Sequence, residues 1–213
     1  MPGSTSSDVG SPGVERDVTS MLFVCTANQC RSVMAEAIAR RRFAGAPFVF
    51  GSAGLIEGGR PMPPNGQLVA RESGFDMSAH VSRRAAASDL GGWDVVLTMT
   101  RSHARELVAA DPGLWPRVFT LPQFVRWLDE HPPRRHVLLK EWIEQEAEDR
   151  PRSEMIGSSS DDDIADPVDG PPDAWRELVA ELSDHIDRLA GHLIPGGGSA
   201  LTGTAAARSS RSR

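Results

Sequence analysis

Only two cysteines, Cys25 and Cys30, occur in the 213 residues, and tyrosine is absent altogether. Two thiols cannot build a disulfide framework or a four-ligand zinc site, and their spacing is not the Cys-x-x-Cys of a dithiol redox motif. Long apolar runs are lacking too: none approaches the roughly 18–20 residues that cross a bilayer. The first 20 residues, MPGSTSSDVGSPGVERDVTS, have no basic stretch followed by an apolar one, as a secretory leader would, so the sequence predicts a cytoplasmic protein. Positive charge is also short. With 23 Lys and Arg against 29 Asp and Glu, the formal net charge of −6 argues against a nucleic-acid partner. Nothing in the pattern calls for a metal, a cofactor or a membrane, and no oligomeric state is encoded legibly.

What is present suffices for one core. Residues 1–20 and 195–213 carry no apolar stripe and are expected as disordered ends of a single domain over 21–194. Inside it, residues 144–163 are polar, with Pro151, a serine run and Asp161-Asp162-Asp163, and are expected as a mobile loop with solvated aspartates. Elsewhere short strands alternate with helical patterns. Strands are predicted at 21–24, 47–52, 94–99 and 117–120. Helices are predicted over 33–40, with Met34, Ala35 and Ile38 inward, over 62–72, and from a Thr100 cap to Ala110, where Asp111-Pro112 stops the pattern. Pro171-Pro172 opens the last helix, whose stripe is Trp175, Leu178, Val179, Leu182, Ile186 and Leu189. This order predicts an α/β fold: one three-layer domain whose four-stranded parallel sheet has helices on both faces, with ligands beyond the carboxyl ends of the strands.

The densest chemistry lies between the first strand and the first helix, in Cys25-Thr26-Ala27-Asn28-Gln29-Cys30-Arg31-Ser32. A strand, a tight loop and a helix N-terminus leave several backbone N–H groups free to cradle a tetrahedral oxyanion. A helix N-terminus and a fixed guanidinium both favour a thiolate over a thiol. Arg31 can hold two phosphate oxygens in its planar fork, which lysine cannot. Phosphoester cleavage through a phosphocysteine also needs a proton for the leaving oxygen. Two Asp-Pro pairs could give it, Asp111-Pro112 and Asp166-Pro167. The first ends a helical pattern and reads as a stop signal, so Asp166 is the candidate acid.

Taken together, CTANQCRS, Ser52-Ala53-Gly54, the stretch from Glu72 to Arg83, Trp93–Leu107 and Asp163-Ile164-Ala165-Asp166-Pro167 resemble the low-molecular-weight protein tyrosine phosphatases and their arsenate reductase relatives. The resemblance covers about Met21 to Leu193. It implies Cys25 as nucleophile, Arg31 as phosphate clamp and Asp166 as general acid and then base. It also implies a phosphate-binding loop of Thr26, Ala27, Asn28, Gln29, Cys30 and Ser32, supported by Ser52 and His80, with Cys30 able to trap an oxidised nucleophile as a disulfide. The implied substrate is a phosphorylated protein or a small phosphomonoester. Three departures stand out. Ala27 replaces the usual glycine, which would strain the loop by about 1 kcal/mol if that position needs φ > 0. Val33 replaces a proline. Val168 and Asp169 stand where many members carry an aromatic residue beside the substrate ring. Three readings therefore stay open: a phosphatase, most simply for phosphotyrosine; an arsenate reductase-like thiol redox enzyme; and a phosphate- or phosphopeptide-binding module without turnover.

Overall fold

The computed structural model describes residues 18–85, 87–134 and 137–194. Four parallel strands, β1 (Thr19–Cys25), β2 (Phe48–Gly54), β3 (Val95–Thr98) and β4 (Val118–Thr120), lie in the order β2-β1-β3-β4. The helices are α1 (Arg31–Arg42), α2 (Pro64–Glu72), the single turn α3 (Ala87–Leu90), α4 (Arg101–Ala110), α5 (Leu121–Glu130), α6 (Leu139–Glu146) and α7 (Pro172–Leu193). Parallel neighbours require crossovers, and the helices supply them. The fold is the predicted α/β architecture. One boundary moves: Thr19 and Ser20, expected in the N-terminal extension, pair with Phe48 and Val49 and belong to the sheet. The rest of the expected terminal extensions, 1–17 and 195–213, lies outside the described residues.

Side-chain alternation explains the layers. Met21, Phe23 and Cys25 of β1, Val95 and Leu97 of β3, and Phe119 of β4 share one core with α1, α5 and α7. Leu22, Val24, Val96 and Val118 face the other way, onto Ala104, Leu107 and Val108 of α4. On α7 the predicted stripe is buried except for the half-buried Val179, and Leu182, Ile186 and Leu189 each contribute about 1.5–3 kcal/mol by leaving water. Helices α5 and α6 fall outside the elements that periodicity predicts. For α5 a local signal exists: Thr120 and Gln123 close a reciprocal capping box, with Pro122 in the first turn.

Residues 144–163 include the end of α6 and a 3-10 turn, Arg152–Met155, that delivers Met155 to the second core. The Arg150 guanidinium is stacked 4.0 Å from the Trp115 ring centre and 3.7 Å from that of Phe119. The expectation that all three consecutive aspartates are solvated fails for Asp162, which is fully buried between Arg101 and Arg126. A buried carboxylate persists only when paired, and here two guanidiniums pair it.

From β1 the sheet extends to β2 on one side and to β3 on the other. The connections leaving β1 and β3 therefore diverge at their carboxyl ends, the place where sheets of this kind bind ligands. Cys25 ends β1 at that point.

Candidate active site

The loop from Cys25 to Cys30 turns back over its own sulfur. Asn28 has φ +52°, the left-handed region that asparagine tolerates better than most residues. Among the described residues it is the one non-glycine with positive φ, so the strain anticipated for Ala27 does not arise there. The bend aims the Asn28 N–H at Cys25 Sγ, 3.3 Å away. The backbone N–H groups of Gln29, Cys30 and Arg31 donate to no protein acceptor among the described residues, which leaves them for an anion. The loop also needs Gly54. A Cβ there would lie 2.8 Å from the Ala27 carbonyl carbon and 2.9 Å from the Asn28 nitrogen, so the end of β2 approaches the loop only as glycine.

Hydrogen-bond directions in the support network follow from donor counts. Asn28 Oδ1 accepts the Arg83 N–H at 3.1 Å, and Nδ2 gives its two protons to Ser32 Oγ (3.0 Å) and Ser52 Oγ (2.8 Å). Ser52 passes its own proton to Glu36 Oε2 at 2.6 Å. Ser32 Oγ lies 3.1 Å from Cys25 Sγ, placed to donate its proton whenever the sulfur is ionised, beside the Asn28 N–H that already points at it. His80 Nε2 lies 2.7 Å from the Asn28 carbonyl and must donate, since a carbonyl only accepts. Gln29 reaches outward and donates to the Pro61 carbonyl at 2.8 Å.

Arg31 is buried beneath the loop. Its Nη1 donates to the Ile164 carbonyl (3.2 Å), and Nη2 contacts Thr26 Oγ1 (3.4 Å) and Asp166 Oδ2 (2.5 Å). Asp166 comes from 135 residues downstream and is partly exposed, with Oδ1 accepting the Val168 N–H at 3.3 Å. The competing Asp111 caps the 3-10 turn Pro112–Arg117 by accepting the Gly113 N–H, away from this cluster. The structure therefore gathers all eleven predicted site residues in or against the Cys25–Ser32 loop. Cys30 is a free, buried thiol; burial first, then the negative charges of Asp166 and Cys25, push its pKa up, so it stays protonated at neutral pH.

A sulfur, a cradle of free N–H groups, a guanidinium and a carboxyl around one loop can attack, hold and protonate a phosphate ester. Residues 20–133 match the sequence profile of low molecular weight phosphotyrosine protein phosphatase, just over half the chain. The chain belongs to that family. A protein-arginine-phosphatase of Geobacillus stearothermophilus is 30% identical over 170 residues, 80% of this chain and 93% of the relative. The low molecular weight protein-tyrosine-phosphatase PtpB of Staphylococcus aureus is 35% identical over 106 residues, 50% of this chain and 73% of its own. Among solved structures, the low molecular weight protein tyrosine phosphatase of T. tengcongensis superposes with a TM-score of 0.62 at 29% identity, covering 82% of this chain and 99% of that one. No helix among the described residues is long and apolar enough to cross a membrane.

In this family member two residues join the site that loop spacing does not announce. Glu36, paired with Arg40 one turn on, ends the hydrogen-bond chain from the sulfur. An acidic residue on the first helix facing Ser52 is the only local hint. His103 Nε2 lies 2.9 Å from Thr26 Oγ1, at the foot of α4. Burial and the nearby Arg31 charge lower its pKa from 6.5 to about 4, so it is neutral at physiological pH. Because the unfolded histidine binds its proton first, stability is complete above pH 6.5 and falls as pH drops through about 6.5 to 4, by on the order of 3 kcal/mol. His103→Gln, which retains a partner for Thr26, should flatten that part of the melting-temperature profile; an unchanged slope would refute the assignment. His185, whose pKa burial also lowers, is present in both proteins and so does not contribute to the difference between their profiles.

Proposed function

We propose that this protein dephosphorylates phosphorylated proteins through a phosphocysteine at Cys25. The observation that carries this is that one loop brings together a hydrogen-bonded Cys25 sulfur, Arg31 and Asp166, although Asp166 lies far along the chain. Phosphate oxygens take the loop N–H groups and the Arg31 fork, and Arg31 gives up its contact with Asp166 to do so. The Cys25 thiolate then attacks phosphorus. As the bond to the leaving group breaks, Asp166 delivers its proton to the departing atom. In the second half Asp166, now ionised, takes a proton from water as that water attacks phosphorus. The sulfur leaves as thiolate and inorganic phosphate is released. Preorganised donors supply most of the stabilisation, and covalent attack divides one difficult displacement into two.

Phosphotyrosine is the first substrate to test. Phosphoarginine is the second, favoured by the arginine phosphatase relative and by the rim. Ile56 and Val168, both exposed beside the loop, are aliphatic, and Asp169 adds a negative charge suited to a guanidinium. A panel of phosphotyrosine, phosphoarginine and phosphoserine peptides separates these. Phosphate release from either of the first two, with little from phosphoserine, is the expected result. Tight binding without release from any would return the binding-module reading, and arsenite release with a thiol donor would return the redox one.

A further inference from the structure

The buried Asp162 carboxylate has no part in the chemistry above, yet it sits four residues before Asp166. Its Oδ2 accepts from Arg101 Nε at 2.5 Å and from Gln123 Nε2 at 3.0 Å, and its Oδ1 accepts from Arg126. Arg101 opens α4, which packs on one face of the sheet, while Gln123 and Arg126 belong to α5, which packs on the other. One carboxylate thus ties together two helices from opposite layers, at the carboxyl ends of the strands that precede them. The following residues are fastened in turn. Asp163 Oδ1 accepts the Arg101 backbone N–H at 2.7 Å, the Ile164 N–H donates to the Met99 carbonyl at 2.8 Å, and the Ile164 carbonyl accepts from Arg31. Beyond Ile164, the main chain of Ala165 and Asp166 makes no hydrogen bond among the described residues, and Asp166 is held through its side chain by Arg31 and the Val168 N–H.

We propose that Asp162, held by Arg101 and Arg126, is a positioning residue that sets the reach of Asp166 to the leaving group. This rests on Asp166 being the acid. A proton donor works only within hydrogen-bond reach of the atom it protonates, and a misplacement of about 1 Å can cost roughly 100-fold. In Asp162→Asn one carboxylate oxygen becomes an NH₂ that faces an arginine donor, and two guanidiniums lose their counter-charge. The segment must shift, and Asp166 with it. Arg126→Met is the gentler variant: the Arg126 side chain is 45% exposed, so the fold survives its loss, while the clamp loses its donor from α5.

The test is kcat/KM for a series of aryl phosphates of rising leaving-group pKa, from p-nitrophenyl to phenyl phosphate, in wild type, Asp162→Asn, Arg126→Met and Asp166→Asn. The expected result is a leaving-group dependence steeper than wild type in both clamp variants. The loss should be about 10- to 100-fold for phenyl phosphate in Asp162→Asn, with little change for p-nitrophenyl phosphate, and Arg126→Met should show a smaller loss of the same shape. A structural staple alone would lower every substrate by the same factor. Such a parallel loss, or none, in both clamp variants beside a steep Asp166→Asn series overturns the positioning role alone. A flat Asp166→Asn series would overturn the acid assignment itself.

Discussion

Cys25→Ser should retain phosphate binding and lose turnover by on the order of 10⁴ or more. Phosphate monoesters are among the slowest substrates to hydrolyse unaided, and the serine hydroxyl offers no stabilised anion in this setting. The Ser32 hydroxyl and Asn28 N–H that meet the sulfur can only stabilise a negative charge once it is there. They do not remove a proton from an alcohol, and among the described residues the hydrogen-bond partners of Cys25 Sγ are only Ser32 Oγ and the Asn28 N–H. The free loop N–H groups and Arg31 survive the substitution, so the phosphate dissociation constant should change by less than about tenfold. Arg31→Lys should show the opposite pattern, weak binding and weak turnover together, because a point charge loses the fork that spans Thr26 and Asp166. Aryl-phosphate hydrolysis at near wild-type rate in Cys25→Ser would remove the phosphocysteine route.

Asp166→Asn should lose about 10²–10⁴ in kcat/KM for substrates with poor leaving groups and much less for p-nitrophenyl phosphate, whose phenolate departs without a proton. The comparison with Asp111→Asn makes the result specific. Both aspartates precede a proline. Asp111 is exposed and caps a 3-10 turn through Gly113, a role asparagine performs nearly as well, so Asp111→Asn should stay within about twofold of wild type. Asp166 lies against Arg31, and asparagine there loses both the ion pair and the proton. Reversed behaviour of the two variants would move the acid to Asp111 and require a loop rearrangement that the present geometry does not contain.

Much of this protein is legible in its sequence because it is encoded over short range. A Cys-to-Ser loop between an apolar strand and a helix specifies a nucleophile, a cradle and a clamp within eight residues, and the structure keeps those residues together because the backbone hardly has room to separate them. The α7 stripe and the Thr100 cap are equally local, one set by a period of 3.6 and the other by a single side-chain hydrogen bond. Even α5 announces itself through Thr120 and Gln123. The tertiary structure alone decided three other matters. It chose which Asp-Pro pair meets Arg31, because that depends on where the chain returns after α6, 135 residues from the arginine. It placed the left-handed turn on Asn28 instead of Ala27, because the bend is set by contacts from Arg83, His80 and Ser52, all on other segments. It also buried Asp162, which a run of three aspartates would leave in water. A carboxylate becomes a core residue only when guanidiniums from elsewhere converge on it, and Arg101 and Arg126 reach it 61 and 36 residues away in sequence, from helices on opposite faces of the sheet.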